Sequence, residues 1–284
     1  MDNCWICSNI ADSEEHKFKA SDLKRFHGKK MNALYISKKI IELNSYKDKS
    51  LKFPKVICTN CNNNLTRPHD DAYDKFVIFC FENHEQILKT QVIDFEEIYG
   101  ENWELEKVNL YRYYAKHAGC KIVTSNIKAD LKNLSEFIKG NIQVTDFLVK
   151  FERKAGVQAI MHAFNLADKY NHLYNSETTY WNIHIAPKFG GWLSNNYMTT
   201  NWVFGTNINT NSKNIFKNKY ETILLTDNHF FEIKEQEDDT EFSRIKFIDQ
   251  YIIGFENSHN KTTELKVEYF ENLILANNTA HNNS

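Results

Sequence analysis

The chain has 284 residues, of which 42% are hydrophobic and 25% charged, with a formal net charge of −2. Such proportions exclude a disordered chain and supply a core for one large domain or two smaller ones. The 20 Phe and 14 Tyr point the same way. No basic region followed by an apolar stretch opens the sequence, and no run approaches the ~18 apolar residues of a membrane helix. A cytoplasmic protein with reduced thiols is expected.

Four of the six cysteines form two identical pairs, Cys4-x-x-Cys7 and Cys58-x-x-Cys61, separated by 50 residues. Two thiolates at this spacing grip one tetrahedral Zn²⁺ from a tight turn, and two such turns complete a closed four-sulfur site. The long gap implies an insertion of functional size between the knuckles. Cys80, within Phe76-Val77-Ile78-Phe79-Cys80-Phe81, and Cys120, after Gly119, read as core residues.

After the first knuckle the sequence reads Asp12-Ser13-Glu14-Glu15-His16-Lys17. The second runs into Cys61-Asn62-Asn63-Asn64-Leu65-Thr66-Arg67-Pro68-His69-Asp70-Asp71. A carboxylate followed by a histidine, then CxxC-Asn with a further histidine eight residues on, resembles the HNH family of ββα-metal nucleases, in the subgroup stapled by a four-cysteine zinc. The resemblance covers roughly residues 1 to 75. It implies a structural zinc on Cys4, Cys7, Cys58 and Cys61, with His16 as the general base that activates water. Glu15, Asn62 and His69 would complete the catalytic site and hold a divalent ion, Mg²⁺ or Mn²⁺, with Asn63 and Asn64 as alternatives to His69. Phosphodiester hydrolysis needs a base titrating near neutrality and a hard cation with open positions. The implied activity is a metal-dependent endonuclease acting on DNA, in restriction or antiviral defence. The alternatives are a ribonuclease of the same fold, or a non-catalytic zinc-dependent module that binds nucleic acid or a partner.

Between His16 and Val56 stand twelve basic residues and three acidic ones, a local +9 that leaves −11 for the remainder. Phosphate neutralisation dominates nucleic-acid affinity. Lys17, Lys19, Lys24, Arg25, Lys29, Lys30 and Arg67 are accordingly the expected backbone contacts.

Beyond Pro68, which suits a first helical turn, apolar spacing predicts a helix over Asp70 to Lys89. A second is predicted over Leu105 to His117, ended by Gly119 in the C′ role, and a third over Leu131 to Ile138, ended by Gly140. Val144 to Ala155 fits either strand or helix. From about residue 157 the period moves toward two, giving short strands at residues 181–185, 201–204, 221–225, 230–233, 245–247, 251–255 and 265–268. Turns are expected at Gly190-Gly191, Asp227-Asn228 and the acidic Glu235 to Glu241 stretch. The expected class is α+β: a zinc-stapled HNH-like motif (1–75), a helical connection (76–156), an antiparallel β-rich domain (157–275) that meets a partner or its own copy, and a frayed tail (276–284).

Overall fold

The computed structural model describes residues 3–36, 40–125, 127–143, 146–153, 171–175, 178–183, 186–194, 198–205 and 216–225. The strands expected between residues 230 and 268, the turns at 227–228 and 235–241, and the tail lie outside them.

Pro68 falls in the first turn of α2 (Arg67–Glu82), where its missing N–H costs nothing. Ahead of α2, the wide turn Cys61–Leu65 is π-helical. It is closed by the Thr66 hydroxyl, which donates to the carbonyls of Cys61 and Asn62. The helix expected to reach Lys89 breaks at Asn83, whose side chain donates back to the Phe79 carbonyl, and resumes as α3 (His84–Thr90). A short strand β3 (Val92–Asp94) and a turn of helix α4 (Phe95–Tyr99) follow.

The central element is α5 (Trp103–Thr124), a helix of 22 residues buried on every side from Lys107 to Ile122. It runs past the end predicted at Gly119. That glycine lies inside the helix, and it is needed there for space, since a Cβ would overlap the indole of Trp5. The Trp5 Nε1 donates to Cys120 Sγ at 3.4 Å, so the first cysteine knuckle rests directly on α5. The next helix, α6 (Lys132–Lys139), ends as expected at Gly140, in the left-handed conformation at φ 84°.

The lysine-rich insertion folds as α1 (Ala20–His27) and a hairpin of β1 (Ala33–Ile36) and β2 (Ile40–Leu43). Its own small core packs Phe18, Leu23, Met31, Tyr35 and Leu51 against Leu173 and Leu193. Residues 147–153 form a strand, β4 (Phe147–Arg153), with Phe147, Val149 and Phe151 buried at every second position as a half-covered strand requires. It is followed by β5 (Asn171–Asn175), β6 (Thr179–Ile183), β7 (Ala186–Ser194), β8 (Thr199–Gly205), β9 (Tyr220–Thr222) and β10 (Leu224–Leu225).

Eight of these strands share one sheet in the order β10-β4-β8-β7-β5-β1-β2, with β6 also paired to β7, while β3 and β9 form a separate antiparallel pair. Most pairings are antiparallel, but β1 with β5 and β10 with β4 are parallel. Gly190 and Gly191 do not turn. They sit in mid-strand on β7, where Gly190 pairs with Thr179 on one side and Val203 on the other, so two-sided ladder bonding outweighs their turn preference.

One continuous core joins Cys4, Ile6, Ile57, Cys58 and Cys61 to Tyr73, Phe76, Tyr111 and Tyr114 of the helices and to Phe151, Trp202 and Phe204 of the sheet. Tyr73 stacks on Tyr113 with ring centroids 3.8 Å apart. The Thr200 hydroxyl of β8 donates to Tyr114 of α5. Among the described residues, no helix is long and apolar enough to cross a membrane.

Candidate metal centre

The sulfur atoms of Cys4, Cys7, Cys58 and Cys61 all lie within 4.8 Å of one another, and those of Cys7 and Cys58 are 3.5 Å apart. A tetrahedral zinc with Zn–S bonds of about 2.3 Å spaces its sulfurs by about 3.8 Å, so the four thiols fit such an ion. The turns are built for it: the backbone N–H of Cys61 donates to Cys58 Sγ, and the Cys4 N–H donates to the Asn9 carbonyl across the first knuckle. The backbone bond from Trp5 N–H to the Val56 carbonyl ties the two knuckles together.

Beside this cluster the segment 13–17 runs antiparallel to 51–57. Ser13 N–H donates to the Ile57 carbonyl, Phe53 N–H to that of Glu15 and Lys17 N–H to that of Leu51. The chain then enters the π-helical turn and α2. Asn62, the first residue past the last cysteine, turns its amide back onto this ribbon, donating to Ser13 Oγ at 3.0 Å and to the Glu14 carbonyl at 3.4 Å. It also reaches the Glu15 carboxylate. The structure therefore brings Asn62 and Glu15 together, with His16 the next residue along the ribbon.

Glu15 is buried and meets a cation supplied from far along the chain. Lys116 of α5 places its Nζ 3.1 Å from Glu15 Oε1, 3.0 and 3.3 Å from the two oxygens of Asp70 and 3.3 Å from Thr66 Oγ1. Burial, the largest influence on each partner, lifts the Glu15 pKa and works against the charge on Lys116. The two carboxylates outweigh it, and the Lys116 pKa ends above its ordinary value. A second cation at Glu15 would have to share its carboxylate with this ammonium, so Mg²⁺ or Mn²⁺ does not fit the arrangement as it stands.

His16 is half-buried. Desolvation first, and the charge of Lys52 second, lower its pKa, which keeps the imidazole neutral and able to take a proton near pH 7. Its Nδ1 has no hydrogen-bond partner among the described residues. His69 is buried on α2. Burial, then Arg112 and Lys116, push its pKa down to about 3, so cations are its electrostatic neighbours.

The basic residues divide into two groups. The Lys17 ammonium donates to the Ser50 carbonyl at 2.7 Å and lies over the rings of Tyr35 and Phe53. Lys19 is paired with Asp74 and donates to the Asp70 carbonyl, and Arg25 reaches Asp22. Lys24, Lys29, Lys30 and Arg67 are exposed.

Neither motif nor spacing in the sequence gives a role to Lys116, Asp70 or Thr66. The signal that marks Lys116 is a set of charged residues, Lys107, Arg112, Lys116 and Lys121, on a helix otherwise rich in tyrosine and alanine. Buried charges require partners.

No protein-family model matches this chain, and no curated protein and no solved structure matches it either.

Proposed function

We propose that this chain is a metal-dependent endonuclease of HNH type that hydrolyses DNA phosphodiester bonds, in restriction or antiviral defence, on a scaffold stapled by zinc at Cys4, Cys7, Cys58 and Cys61. The observation that carries the reading is the convergence of Asn62 with the Glu14–Glu15 segment, next to His16 and against the four-cysteine cluster. His16 is the base: its neutral imidazole takes the proton of the attacking water. Asn62 holds the ribbon that carries His16 through its bonds to Ser13 and the Glu14 carbonyl. Lys24, Lys29, Lys30 and Arg67 are the cations free to meet DNA phosphates.

The test is cleavage of supercoiled plasmid in millimolar Mg²⁺ or Mn²⁺ by the zinc-loaded chain and by His16→Ala. Loss of a general base lowers the rate about 10²- to 10⁴-fold. Equal cleavage by the two proteins contradicts the assignment.

A second reading, a non-catalytic zinc-dependent module that binds nucleic acid or a partner, is favoured by one observation. The Glu15 carboxylate is already neutralised by Lys116. Retained DNA binding with no cleavage in either metal decides for it.

A further inference from the structure

The three N–H donors of an ammonium group are matched at Lys116 by three oxygen-bearing partners, Glu15, Asp70 and Thr66, at 3.0 to 3.3 Å. The side chain is 1% exposed, so no phosphate reaches Nζ, and Lys116 does not act as an electrophile toward substrate. What it does is fill the space between two carboxylates that come from different parts of the candidate site: Glu15 from the ribbon before His16, and Asp70 from the helix that follows Asn62.

The other cations in the neighbourhood are engaged elsewhere. Lys52 pairs with Glu14, Lys19 with Asp74, and Arg112 donates to the Phe137 carbonyl and to Asn109.

We propose that Lys116 is the resident cation of the Glu15–Asp70 pair, and that its ammonium group takes the place between these carboxylates that a divalent ion would need, so that none binds them while Lys116 is charged and in position. The site is closed by the protein's own helix. That helix is tied to the sheet through the Thr200 to Tyr114 hydrogen bond and through the bond from Lys121 Nζ to the Trp192 carbonyl. This rests on the nuclease reading for the metal it concerns, and its test reads metal occupancy rather than cleavage.

The experiment is a Mn²⁺ titration of the zinc-loaded full chain, with free Mn²⁺ followed by electron paramagnetic resonance. Even with the screening of bulk water, a unit charge at 3 Å changes the affinity for a cation about tenfold. Lys116→Gln, which keeps hydrogen-bonding capacity and removes the charge, is expected to bind Mn²⁺ at least about tenfold more tightly than wild type. The gain should disappear in the double variants with Glu15→Gln or Asp70→Asn. Lys116→Arg, which keeps the charge, should match wild type.

Equal affinity in wild type and Lys116→Gln overturns the proposal, as does a gained site that survives Glu15→Gln. Should Lys116→Gln fail to fold, wild type against Glu15→Gln decides: no Glu15-dependent Mn²⁺ site supports closure, and a micromolar one overturns it. A Lys116→Gln protein that binds Mn²⁺ but leaves plasmid intact refutes the nuclease reading and leaves the closure standing. A wild type that cleaves and binds Mn²⁺ tightly through Glu15 does the reverse.

Discussion

Replacing Gly119 by alanine probes how the cysteine knuckles are held. In an exposed helix interior this change stabilises by about 1 kcal/mol, because glycine gives up the most backbone freedom. At this position the new methyl group overlaps the Trp5 indole, which is fixed by its hydrogen bond to Cys120 Sγ and by packing against the continuous core. Displacing the ring forfeits about 1 kcal/mol of hydrogen bonding and about 1–3 kcal/mol of packing. The expected result is a net loss of about 1–3 kcal/mol, opposite in sign to the helix-propensity effect. Urea denaturation of the zinc-saturated protein measures it. A double-mutant cycle isolates its cause, since with Trp5→Ala in place the same glycine substitution should become neutral or stabilising. If Gly119→Ala stabilises the otherwise wild-type chain by about 1 kcal/mol, Trp5 does not dock on α5 as described.

Two further outcomes are expected. Asp22 is 4% exposed; burial first, and the nearby Asp74 second, raise its pKa from 3.8 to about 7. Between these values the folded chain holds a proton that the unfolded chain has released, so this group's contribution to stability falls as pH rises from 4 to 7, by about 4 kcal/mol at the most. Asp22→Asn should therefore stabilise the protein at pH 8 and have little effect at pH 4; an equal shift at both pH values excludes the titration as the cause. Replacing Lys24, Lys29, Lys30 and Arg67 together by glutamine should lower the dependence of log affinity for duplex DNA on log salt by roughly 3 to 4, at about 0.9 for each phosphate no longer neutralised. An unchanged slope places the DNA-binding surface elsewhere.

The cysteine pairs were legible in the sequence because metal chemistry imposes a local spacing, and the structure brings all four sulfurs together. The end of α6 was legible for a similar reason, since Gly140 alone supplies the left-handed cap. What escaped the sequence was set by distant residues. Gly119 looks like a helix terminator until Trp5, from the first cysteine knuckle, is seen lying against it. Lys116 finds its counter-charges 46 residues away at Asp70 and in Glu15 of the first knuckle's ribbon. The hairpin of β1 and β2 was hidden by its shortness, since strands of four residues show too little of the buried alternation of Ala33 and Tyr35. Its parallel partner β5 lies more than a hundred residues on. Lys17 and Lys19 were expected to meet phosphate on composition, yet their ammonium groups are engaged within the fold.

Everything proposed for Glu15 and His16 stands on zinc at the four cysteines, and metal analysis of the purified chain with X-ray absorption at the zinc edge tests it most directly. The predicted result is one zinc per chain with four sulfur ligands at about 2.3 Å, lost in Cys58→Ser/Cys61→Ser together with the cooperative folding of the segment that carries Glu15 and His16. A chain that holds no zinc, or that unfolds along the same curve before and after chelation, would contradict it.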